Sequence, residues 1–182
     1  MMDGETLVLA VLSAMPHHKV PGKKRLQKLS FFAVQTGAVS SVRFFLHDFG
    51  PFSAEVASAT DFLSFIGAIA EEEAQFVRTK RYYKVYRLTD PTIVQEFLPA
   101  QVAGALDALN EYSTIELEIA STIRYFITAG LSLDKAIEAT KELKPSKSQP
   151  KIIQRAEEAL LKVGLYERGR ANQVSGSRSH WL

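Results

Sequence analysis

Residues 42–88, VRFFLHDFGPFSAEVASATDFLSFIGAIAEEEAQFVRTKRYYKVYRL, decide the fold. Residues 42–46 are a short apolar, β-branched and aromatic run, which predicts a strand. Next comes Phe49-Gly50-Pro51-Phe52-Ser53. Pro51 fixes its own φ and discourages helix at Gly50. Ser53 is a good N-cap for a helix reaching to about Ala70, with Val56, Ala59, Phe62, Leu63, Ile66 and Ile69 on its inner face. Glu71 to Ala74 read as an acidic break. Residues 75–88 read as a β-hairpin, QFVRT and YKVYRL, turning near Lys80-Arg81.

Upstream, residues 5–15 place Leu7, Val8, Val11, Leu12 and Met15 at helical spacing, and Pro16 stops that helix. Residues 17–22 read as a loop. A second helix is expected over residues 23–36, with Leu26, Leu29, Phe32 and Ala33 on one face and Gly37 as its stop. Helix, helix, short strand, helix, hairpin is the element content of a winged helix-turn-helix. The hairpin is then the wing, and the helix before it takes the recognition position.

Downstream of Thr89-Asp90-Pro91 the pattern is wholly helical. One helix starts at Pro99 with Val102, Leu106 and Leu109. Another follows Ser113, whose spacing to Glu116 is that of a capping box. Ser132 opens a third, which Lys144-Pro145 breaks, and Pro150 opens a fourth, which Gly164 closes. The expected fold class is mainly α with a small β-hairpin: a winged helix-turn-helix over 1–90, a helical extension over 91–167 and a disordered tail over 168–182.

Composition bounds the chemistry. With 46% hydrophobic and 23% charged residues, the chain has ordinary globular usage. It has no cysteine, which excludes disulfides, thiol nucleophiles and thiolate metal sites. The first fifteen residues carry Asp3 and Glu5 and make a poor signal peptide. No apolar run approaches the roughly 20 residues that span a bilayer, so a cytoplasmic protein with no membrane partner is expected. The net charge is +2, yet residues 168–182 alone hold Arg168, Arg170 and Arg178 without an acid. The remainder is therefore near −1, and nucleic-acid binding would have to rest on local patches.

Two such patches exist. Residues 19–28 hold Lys19, Lys23, Lys24, Arg25 and Lys28, and residues 75–89 hold Arg78, Lys80, Arg81, Lys84 and Arg87, with no acid in either stretch. In a winged helix these would flank one surface, where lysine and arginine neutralise phosphates and release counterions. Double-stranded DNA is the leading expected partner, making the chain a DNA-binding transcriptional regulator. The expected phosphate contacts are Lys23, Lys24, Arg25, Lys28, Arg78, Lys80, Arg81, Lys84 and Arg87. Against base readout, residues 53–70 contain no Lys, Arg, Asn or Gln, the side chains that read base edges best. Glu55, Asp61 and Phe65 on that helix instead suit a protein partner, so an interaction module is the alternative. A homodimer through the C-terminal helices is also expected.

Gly22 to Leu29 (GKKRLQKL) with Phe49 to Ser53 (FGPFS) resembles a group of uncharacterised prokaryotic winged-helix proteins. The pairing is also similar to the SocA-like (Panacea) antitoxin domain. That resemblance covers about residues 5–90 and implies neutralisation of a toxin by protein contact, sometimes with operator binding.

Other motifs point elsewhere less strongly. Gln27 is expected to tie its helix to the Gly50-Pro51 turn. Lys141, Lys144, Lys147, Lys151 and Arg155 suit a helix C-terminus and the start of the next helix. His17-His18 are adjacent in a loop, and His47-Asp48 have no nucleophile at a known spacing. The chain has no P-loop, GxGxxG, GxSxG or HExxH. No enzyme activity, metal or cofactor is expected.

Overall fold

Leu7, Val8, Val11 and Leu12 line the buried face of the first helix, α1 (Gly4–Ala14). Asp3 caps it by accepting from the Thr6 N–H at 2.9 Å. The computed structural model describes residues 1–75, 81–93 and 98–166. The expected hairpin turn, with Arg78 and Lys80, and the expected disordered tail at 168–182 lie outside the described residues.

Pro16 ends α1 as expected, but the next residues are not a simple loop. A 3-10 turn over Pro16–His18 leads into a short strand, β1 (Lys19–Pro21). Val20, its one buried side chain, joins the core. The second helix, α2 (Lys23–Gln35), matches the expectation closely.

The 42–53 region is a two-stranded hairpin. β2 (Phe45–His47) pairs with β3 (Gly50–Phe52) in the register Phe45↔Phe52, Leu46↔Pro51 and His47↔Gly50. The expected strand at 42–46 thus begins three residues late, and the Gly-Pro turn is itself a strand. Ser53 caps α3 (Ala54–Phe65), its Oγ accepting from the Val56 N–H at 3.3 Å.

α3 ends well before Ala70. Ile66 is its C-cap and Gly67 lies at φ 76°, so the chain leaves the helix there. Ile69 opens β4 (Ile69–Gln75) instead of closing the helix, and the acidic stretch is part of that strand rather than a break. β4 pairs antiparallel with β5 (Tyr82–Leu88), matching Glu71 with Tyr86, Glu72 with Val85 and Glu73 with Lys84. Lys84 reaches Glu71, and Arg87 reaches Glu72 at 2.7 Å. These diagonal cross-strand pairs offset the poor strand preference of three consecutive glutamates. β1 joins the other edge of β5, giving a three-stranded antiparallel sheet in the order β1-β5-β4.

The C-terminal half is helical: α4 (Ala100–Leu109), α5 (Thr114–Thr128), α6 (Leu133–Leu143) and α7 (Pro150–Lys162). The Ser113–Glu116 capping box forms, both of its hydrogen bonds being present. Ser132 sits at the N-cap of α6 without a capping hydrogen bond. α4 packs on α1 and α2, and α5 packs on α2, β3, α6 and α7. A single buried cluster therefore runs from Leu7, Leu29 and Phe32 to Leu106, Leu117, Ile123 and Leu160. Residues 98–166 share their core with the N-terminal half. Among the described residues, no helix is long and apolar enough to cross a membrane.

Candidate interaction surface

The first turn of α2 carries Lys23, Lys24 and Arg25, but only two of the three face outward. Arg25 is buried. Its guanidinium donates to the Tyr112 carbonyl at 2.6 Å and the Asn110 carbonyl at 3.0 Å, satisfying groups at the end of α4. Lys28, one turn on, is 2% exposed and donates from Nζ to the Pro51 carbonyl at 2.7 Å. Burial pushes its ammonium down to about 8; nearby Glu118 opposes this, while Lys144, Lys24 and Lys147 add to it. Both residues were expected as phosphate contacts. The structure corrects this: their long stems run into the interior, and backbone carbonyls take their N–H groups.

The exposed members of the expected DNA surface are mostly paired. Lys23 bonds Asp61 on α3, Lys84 bonds Glu71, and Arg87 bonds Glu72. The Lys24 ammonium lies 3.4 Å over the Phe49 ring. Arg81 is exposed at the foot of β5. The strand facing Lys84 and Arg87 carries three glutamates, so this face mixes signs.

Of the residues expected at a protein interface, Glu55 accepts from the Arg43 N–H at 3.4 Å, and Asp61 is the partner of Lys23. Phe65 is 88% exposed. Its neighbours Phe62 and Ile66, expected to face inward, are 50% and 53% exposed. α3 buries Val56, Ala59, Thr60 and Leu63 instead. Two apolar stripes are available on this helix, and the core takes the one with smaller side chains. The last turn of α3 therefore presents a contiguous group of three large apolar side chains. Phe45, Phe49 and Phe52 add exposed aromatic area on the β2–β3 hairpin. In the C-terminal half, the exposed large apolar side chains among the described residues are Ile115 and Leu143, on different helices.

Gln27 is a buried tie as expected, but to Ser53 at the head of α3 rather than to the Gly50-Pro51 turn, which Lys28 holds instead. Its Nε2 donates to the Ser53 carbonyl and its Oε1 accepts from the Ser53 N–H, both at 2.9 Å. Beside it, a cavity of about 150 Å³ opens between α2, the hairpin and α3, with largely apolar walls.

One polar cluster escaped the sequence reading. Glu118, buried on α5, accepts from Lys144 at 2.9 Å and from Lys147 at 2.8 and 2.9 Å. Lys144 also donates to the Asp48 carbonyl, clamping the hairpin loop. The signal was Glu118 itself, set between Leu117 and Ile119 on the apolar side of a helix whose other early glutamate, Glu116, is used in the cap. The histidines are scattered: His18 meets the Ser13 carbonyl at 3.0 Å, and the His47 ring lies against Phe49 and Phe52. Among the described residues, no group of three or more His, Asp or Glu side chains is placed to hold a metal ion.

No family model matches the chain, and no curated protein matches it.

Proposed function

We propose that residues 1–90 are a winged helix working as a protein-interaction module, with the end of α3 as the contact surface. The element order α1–β1–α2–β2–β3–α3–β4–β5, with β2–β3 an added hairpin, and the sheet order β1-β5-β4 support the winged-helix reading. The observation that carries the function is Phe65, 88% exposed and flanked by Phe62 and Ile66 on a helix with no basic or amide side chain. Large apolar side chains grouped on a surface mark contact sites, and aromatic residues are the usual anchors of protein interfaces. The resemblance of residues 22–29 and 49–53 to the SocA-like antitoxin domain points the same way. Double-stranded DNA has less support. Of the nine expected phosphate contacts, Arg25 and Lys28 are buried, while Lys23, Lys84 and Arg87 have carboxylate partners.

The test is affinity purification from the source organism with the wild-type chain and Phe65→Glu in parallel. One stoichiometric protein should accompany the wild type and be lost from Phe65→Glu, with the thermal midpoint unchanged. Equal recovery by both would move the interface elsewhere. Absence of any partner, together with micromolar duplex-DNA binding that falls steeply with salt, would overturn the reading in favour of a DNA-binding regulator.

A further inference from the structure

The cavity beside α2 has three properties that together specify a ligand class. The first is size. About 150 Å³ is room for one benzene-sized ring. The second is its walls. The lining includes the buried Leu26 and Val56 with Ala57, and the exposed rings of Phe49 and Phe52 with the His47 ring against both.

The third is charge. Among the described residues, no aspartate or glutamate lines the cavity, whereas Lys23, Lys24 and Lys28 do. Lys23 is matched by Asp61, and Lys28 by the Pro51 carbonyl. The Lys24 ammonium rests on the face of Phe49, and among the described residues no carboxylate pairs with it. Lys147 lies 4.9 Å from the same ring and, with Lys144, shares the single carboxylate of Glu118. Four ammoniums, those of Lys24, Lys28, Lys144 and Lys147, thus surround the Phe49–Pro51 turn; among the described residues Glu118 is the carboxylate in contact with two of them, and Asp48 beside the turn gives Lys144 its carbonyl.

We propose that this cavity binds a small aromatic monocarboxylate, its ring between Leu26, Val56 and Ala57 and its carboxylate on Lys24. The ring gains by leaving water for apolar walls. The anion meets an ammonium, that of Lys24, which no carboxylate contacts among the described residues, and a charge-assisted hydrogen bond to an ammonium is strong. A neutral ring would meet the walls and leave the charge. A free phosphate would meet the charge and find no room for its hydration. Ligand binding here would also brace α2, α3 and the hairpin against one another, because all three line the site.

Titration calorimetry on the full chain tests this with benzoate as probe, and with benzyl alcohol and inorganic phosphate as the two half-matched controls. Benzoate should bind one to one with Kd below about 1 mM, and each control at least about tenfold more weakly. Lys24→Gln should weaken benzoate about tenfold, and Ala57→Leu, which fills the cavity, should abolish binding. Lys24 is exposed, so its variant keeps the test valid if Ala57→Leu does not fold. No heat at about 10 mM benzoate would overturn the proposal. So would equal affinity for benzyl alcohol, or benzoate binding indifferent to both substitutions.

Discussion

Lys28 donates to the Pro51 carbonyl at 2.7 Å from a position that is 2% exposed, so a lysine closes the contact between α2 and the β2–β3 hairpin. The interior penalises its charge and lowers its pKa from 10.5 to about 8. The sign of the pH effect follows. Between about pH 8 and 10.5 the unfolded chain keeps a proton on this lysine that the folded chain has lost, so stability rises with pH across that window. The full effect is about 3 kcal/mol. Tyr86 acts oppositely above pH 10: burial pushes its hydroxyl up to about 12, so the unfolded tyrosine ionises first and stability falls. Urea unfolding should therefore show a midpoint that climbs from pH 8 to 10 and turns over above. Lys28→Met should flatten the climb. A wild-type midpoint that is level or falls from pH 8 to 10 would show that Lys28 is not buried as described.

Gln27 holds both backbone groups of Ser53, and Ser53 in turn caps α3. Gln27→Leu keeps the volume and removes the pair. The Ser53 carbonyl retains the Ala57 N–H at 3.1 Å, but the Ser53 N–H is left buried and unpaired. A buried unsatisfied donor costs about 1–3 kcal/mol, so the variant should lose about 2 kcal/mol in chemical denaturation. A loss confined to a few tenths would mean that water reaches this joint.

The helices were legible because their signals are local. Pro16, Ser53, the Ser113–Glu116 pair and Pro150 each act within one turn of their own position. The destinations of long charged side chains were not, because they depend on groups far along the chain. Arg25 finds carbonyls at 110 and 112, Lys28 finds one at 51, and Glu118 finds Lys144 and Lys147. A run of basic residues read as a surface patch when two of them are interior fasteners. The glutamates of β4 misled in the other direction, since their compensation lies across the strand in Lys84 and Arg87. At the candidate surface, Phe65 was legible as an outward residue. Phe62 and Ile66 were not, because helical periodicity permits two faces on α3 and the packing of α1, α2 and β4 against it selects one.

Gly50 and Gly67 separate two causes of glycine requirement. Both lie at positive φ, 83° and 76°. A Cβ at Gly67 would meet open space, whereas at Gly50 it would come within 2.8 Å of Thr122 Oγ1 and 3.3 Å of the Glu118 carbonyl. Gly67→Ala should therefore cost only the left-handed backbone penalty, about 1–2 kcal/mol. Gly50→Ala adds a clash that is relieved either by turning Thr122, which gives up its hydrogen bond to the Glu118 carbonyl, or by moving α5 off β3, and should cost about 1 kcal/mol more. Thermal denaturation of the two variants side by side decides this; equal losses would mean that the β3–α5 contact gives way freely.

Glu118 is the counter-charge for a buried ammonium. Burial pushes its carboxyl up, but the hydrogen bonds from Lys147 and Lys144 outweigh that and hold it below the usual carboxylate range. Its contribution is thus present above an unfolded value near 4.5 and is lost as pH falls through the lower folded value. Glu118→Gln removes the charge and leaves Lys144 interior without an anion. Breaking a buried pair on one side costs about 3–5 kcal/mol. Lys147 is partly exposed and can turn to water, so it should add little. Removing both charges is a different experiment. Glu118→Leu with Lys144→Met leaves no unpaired ion, and apolar replacement of a buried pair is often neutral or better. Here the Asp48 carbonyl also loses its Lys144 donor, so recovery should be partial, by about 1–3 kcal/mol relative to Glu118→Gln. If the double replacement is the less stable of the two, Lys144 acts chiefly through Asp48, as a clamp on the hairpin loop rather than as the partner of Glu118.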